Sequence, residues 1–214
     1  ERRADHIVRS LNKYATDMEA VKGLGFCVSI EHAKFMAEYF QSAGIPSIYL
    51  VGDSNDQERH TAKKRLVEAA LYSPDWIDII GEYLGFTGFK SACYYFMAHM
   101  NEKFDDKKRA VIARYTPLSE DELNLGAFDL AWFRSAYESI GEEDFDLIYD
   151  AAKYIADGAK HARARKYADA ALGRFTVEDT ENTIADKRNK DLLMAYAIIP
   201  LTGEEDLIHR YRRL

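Results

Sequence analysis

The chain has 214 residues, 47% hydrophobic and 13% aromatic, with a formal net charge of -7. That length allows one large domain or two small ones, and the apolar share excludes disorder. The charge is uneven: residues 1–67 carry 10 Lys/Arg against 9 Asp/Glu, and residues 68–214 carry 19 against 27, which excludes an autonomous nucleic-acid binder built on a basic surface.

In chain order, residues 2–18 carry Ile7, Val8, Leu11, Tyr14, Ala15 and Met18 at helical spacing. Two short apolar runs follow, Leu24-Gly25-Phe26-Cys27-Val28-Ser29-Ile30 and Ser47-Ile48-Tyr49-Leu50-Val51. Each reads as a strand buried on both faces of a parallel sheet, because its apolar residues are continuous rather than alternating. Ser29 is placed to cap a helix starting at Glu31, with Gly44 at its end. Ser54 and Gln57 have capping-box spacing for the next helix. The order is β-α-β-α, and two strands cannot make such a sheet alone.

From Ser73 on, the punctuation is helical. Ser73-Pro74 reads as an N-cap followed by proline at the first helical position, for a helix ending at Gly85. Helices are predicted over 90–102, 106–115, 127–140, 142–156, 160–172, 176–187 and 190–199. Ser119 with Glu122, and Thr202 with Glu205, cap two shorter ones. The four prolines, Pro46, Pro74, Pro117 and Pro200, all fall at element boundaries. Helices of this length with short turns predict stacked helical hairpins without a fixed-period repeat.

The run Gly23-Leu24-Gly25-Phe26-Cys27-Val28-Ser29-Ile30-Glu31-His32-Ala33, then Tyr49-Leu50-Val51-Gly52-Asp53 and Gln57-Glu58-Arg59, resembles the start of the second RecA-like lobe of superfamily 2 DEAD/DEAH-type helicases. The resemblance spans residues 1–67. It implies a partial P-loop NTPase fold in which Ser29, Glu31 and His32 lie near a bound DNA strand and Gly52 meets its backbone. A hydroxyl or amide at a strand-to-helix junction suits a phosphate, although the capping preference favours Ser29 as a simple helix cap. The working parts are absent. The chain has no Gly-rich loop ending in Gly-Lys-Ser/Thr, no Asp-Glu box and no Gln-x-x-Gly-Arg-x-x-Arg segment with its arginine finger. No ATPase or unwinding activity and no cofactor are expected.

Residues 68–214 resemble a helical region of large MolR-like bacterial proteins. The likeness rests on Ser91-Ala92-Cys93-Tyr94-Tyr95-Phe96-Met97-Ala98-His99-Met100-Asn101-Glu102 and on Ala127-Phe128-Asp129-Leu130-Ala131-Trp132-Phe133, and it implies no chemistry. The expected fold class is mainly α: a short β-α-β-α RecA-like fragment over 1–67, then an all-α helical-hairpin array over 68–214. The function this implies is a non-catalytic helicase-lobe fragment joined to a protein-interaction scaffold, with DNA as a partner of the N-terminal segment. The alternative is a pure helical scaffold whose N-terminal piece is a passive remnant or a fusion of unrelated reading frames. The chain opens on Glu1 rather than Met, as a piece of a longer protein would.

Other polar constellations read as structural. The basic run Lys160-His161-Ala162-Arg163-Ala164-Arg165-Lys166 spreads around a helix and pairs with Asp157 and Asp169 as a solvated face. His99 and Glu102, three apart, suggest a partly buried helix histidine rather than an acid–base or metal pair. No CxxC or HxxxH spacing supports a metal site. Trp76 and Trp132 fall at core spacing. Cys27 and Cys93 sit in apolar runs as buried free thiols, and no apolar run is long enough to span a bilayer. A cytoplasmic protein is expected.

Overall fold

The computed structural model describes residues 2–18, 23, 25–51, 54–101, 103–203 and 207–213. Among the described residues the chain is helical and contains no strand. It divides into two compact units, Glu1–Ala69 and Ala70–Leu214.

The first unit contains α1 (Arg2–Tyr14) and α2 (Ile30–Ser42), which pack together, and most of α3 (Asp56–Tyr72). Ser29 caps α2 as its spacing predicts, its hydroxyl oxygen accepting from the His32 N–H at 3.1 Å. The α3 cap sits one residue later than predicted. The Asn55 side chain accepts from the Glu58 N–H at 2.9 Å, and Glu58 reaches back to the Asn55 N–H at 3.0 Å. Ser54 instead takes the Val51 N–H at 3.2 Å.

The two predicted strands do not form. Residues 25–28 and 45–51 are irregular; Val28 is 95% exposed, and Phe26, Ile48 and Tyr49 are exposed with it. Cys27 is exposed too, not buried as its apolar run predicts. A strand needs a neighbour for its backbone N–H and C=O groups and cover for its faces. An apolar run supplies neither, and the described residues hold no strand to pair with.

The second unit begins with a single 3-10 turn (Pro74–Trp76) and continues through α4 (Ile77–Leu84), α5 (Phe89–Met100), α6 (Asp106–Ile112), α7 (Glu120–Asn124), α8 (Leu130–Ile140), α9 (Glu142–Ala152), α10 (Lys160–Ala171), α11 (Val177–Asp186), α12 (Lys190–Ile198) and α13 (Leu207–Arg212). Ser119 and Glu122 make the predicted capping box on α7. Ser73 makes no side-chain cap; the 3-10 turn intervenes before α4.

Helix α5 is the centre of this unit. It packs against α4, α6, α7, α8, α9 and α10, and every residue from Ala92 to Met100 is buried. A helix apolar on all sides is stable only when surrounded. Rings from α5, α8 and α9 interlock: Phe96 lies 4.8 Å from Phe145 and Tyr95 lies 5.6 Å from Trp132, ring centre to ring centre. A second cluster, Tyr167, Ala170, Ala195 and Ile199, joins α10 to α12 and its C-terminal flank, with Phe128 and Phe175 against it.

Entry into α5 depends on Gly88. Its φ is +76°, and a Cβ there would fall 2.5 Å from Ser139 Cβ on α8. Gly88→Ala is therefore expected to lower the unfolding free energy by about 2–4 kcal/mol, combining the left-handed penalty with overpacking. Urea unfolding followed by tryptophan fluorescence measures this directly, because Trp76 and Trp132 both lie in the second unit. An unchanged midpoint would refute the close approach of the α4–α5 loop to α8.

Candidate functional site

The sequence points first to Ser29, Glu31, His32 and Gly52. Gly52 lies outside the described residues. Ser29, Glu31 and His32 are exposed together at the first turn of α2. The Ser29 oxygen is already the helix cap. The Glu31 carboxyl is held below the usual carboxylate range, first by its own backbone N–H and then by the Ser29 hydroxyl. The hydroxyl that would meet a phosphate is thus committed to a carboxylate, and that anion repels another.

In the second unit the polar interior is built around His99 and Tyr95. His99 is 5% exposed, and its ring lies 4.4 Å from that of Tyr95 and 5.7 Å from that of Phe128. Its Nδ1–H donates to the Tyr95 carbonyl at 2.8 Å, since a carbonyl can only accept. Its Nε2 and the Tyr95 hydroxyl are buried without a hydrogen-bond partner. Burial, before all else, lowers the His99 pKa to about 4, so the ring is neutral near pH 7. The expected partner Glu102 lies outside the described residues. His99 is more deeply enclosed than the partly buried histidine its helical position suggests.

The basic run on α10 is not a uniformly solvated face. Lys160 is buried, and its Nζ donates to the Asn101 carbonyl at 3.0 Å and to Asn124 Oδ1 at 2.7 Å. It thereby ties α10 to the end of α5 and to α7. The His161 ring stacks on Tyr149 at 4.0 Å; its Nε2–H donates to the Tyr149 carbonyl and its Nδ1 accepts from the Tyr149 hydroxyl. Arg165 pairs with Asp146 at 2.6 Å and with Asp169 at 3.2 Å. Arg174 continues the chain of charges to Asp169 and Glu142. These ion pairs knit α9 to α10 and engage Arg165 and Arg174 with carboxylates of the chain itself.

Trp132 is buried, stacked on Tyr115 with ring centres 5.2 Å apart, and its Nε1–H donates to Ser91 Oγ at 3.0 Å. It is a core residue and offers no face to a base. Burial pushes the Cys93 thiol well up, so it is no nucleophile. Among the described residues no group of three or more His, Cys, Asp and Glu side chains is arranged to hold a metal ion. An open surface groove of about 310 Å³ beside α4 is lined by residues that include Asp78, Glu82, Lys90 and Tyr115, with Lys90 bonded to Asp78.

The outward faces carry what sequence spacing alone misses. On α4, Ile77 and Ile80 are buried, yet Ile79 and Tyr83 are exposed, Ile79 at 52%, and Trp76 at the end of the preceding 3-10 turn is exposed with them rather than in the core its spacing predicts. On α13, Arg210 turns inward, its guanidinium donating to the Ile199 and Pro200 carbonyls, while Leu207, Ile208 and Tyr211 stand outside, Tyr211 at 76%. The signal was present in the sequence: α4 is apolar on two adjacent rows, more than one buried stripe requires.

The model of a family of unknown function, DUF5724, matches residues 54–214. The chain belongs to that family. The match begins just before α3, so the Gln57-Glu58-Arg59 run falls inside it. No curated protein and no solved structure matches the chain. No helix among the described residues is long and apolar enough to cross a membrane.

Proposed function

We propose that this member of the DUF5724 family is a non-catalytic helical scaffold that binds protein partners through exposed apolar helix faces. One observation carries the reading. The buried cations of the second unit, Lys160 and Arg210, are spent on carbonyl and amide oxygens of neighbouring segments, while large apolar side chains on α4 and α13 stand outside. Groups that do chemistry need access and tuned protonation, and His99 and Cys93 are enclosed. Exposed apolar side chains gathered on one helix face mark association sites. The likeness of residues 68–214 to MolR-like proteins belongs to the same proposal. So does a superfamily 2 helicase ancestry for residues 1–67. Two free cysteines accord with a cytoplasmic location.

The second reading, DNA contact through Ser29, Glu31, His32 and Gly52, is favoured by the joint exposure of the first three on one helical turn. Fluorescence anisotropy with single-stranded DNA over a salt series separates the two. The scaffold reading expects no binding at low salt and ATP hydrolysis at background. A phosphate-driven site must weaken steeply as salt rises. Binding of that kind, lost in Ser29→Ala and His32→Ala, would replace the scaffold reading with the nucleic-acid one.

A further inference from the structure

We draw no further inference here: the strongest candidate, the exposed apolar rows on α4 (Ile79 and Tyr83) and on α13 (Leu207, Ile208 and Tyr211), carries nothing because Asp75, Asp78 and Arg213 beside them are already paired within the chain and nothing in the structure shows what covers those rows.

Discussion

Tyr95→Ala is expected to lower the unfolding free energy of the second unit by about 3–5 kcal/mol, while Tyr95→Phe is expected to raise it by about 1 kcal/mol. The contrast follows from what the two ends of the side chain do. The ring is 1% exposed and lies within 4.4–6.3 Å, centre to centre, of His99, Phe96, Trp132, Phe133, Phe145 and Phe128. It therefore joins α5 to α8 and α9, and truncating it leaves a cavity that the surrounding rings cannot close. The hydroxyl is buried with no partner, and burial pushes its pKa well above the ordinary tyrosine value. Removing it takes away a desolvation cost and no hydrogen bond. Since small domains are stable by only about 5–15 kcal/mol, the alanine variant approaches the limit of folding. Urea unfolding followed by tryptophan fluorescence reports both changes. A phenylalanine variant destabilised by more than about 1 kcal/mol would show that the hydroxyl is hydrogen-bonded in solution.

Local signals in the sequence held in most places where the partner is close in the chain, the caps expected at Ser54 and Ser73 being the exceptions. Ser29 and His32, and Ser119 and Glu122, are three residues apart, and their caps form as spacing predicts. The central helix was legible from Ala92, Tyr95, Phe96, His99 and Met100, which all prove buried. What failed were inferences needing a distant partner. The runs at 24–30 and 47–51 have strand composition, but composition reports burial preference, not the presence of a neighbouring strand. Among the described residues there is none, and Phe26, Val28, Ile30, Ile48 and Tyr49 stand exposed. Lys160 read as one charge in a solvated run, yet it is buried against Asn101 and Asn124, which lie 59 and 36 residues away. No local pattern announces such a contact. The exposed rows on α4 and α13 were legible in principle, because a short helix with apolar residues on adjacent strips has more apolar surface than one neighbour can cover.

Acidification is expected to destabilise the second unit through His99, well before its carboxylates respond. The histidine's ordinary value is 6.5, and in the folded chain it falls to about 4. Burial is the main cause. The Arg163 charge adds to it, and the Tyr95 carbonyl and Asp129 oppose it without offsetting it. Above pH 6.5 the ring is neutral in both states, so stability does not depend on it. Between pH 6.5 and 4 the unfolded chain binds a proton that the folded chain refuses, and stability is lost as pH falls. Over that window the loss is about 3 kcal/mol. The carboxyls of Glu120 and Glu122 titrate below their ordinary value of 4.5, held there by backbone N–H groups first, so their contributions fade at lower pH. Urea midpoints measured from pH 7 to pH 4 should therefore fall in the wild-type chain. In His99→Phe, which fills the same aromatic space without a titrating group, that slope should flatten by the His99 share. Parallel slopes in the two proteins would mean that His99 meets solvent or a compensating anion. They would overturn the enclosure on which the non-catalytic reading of this ring depends.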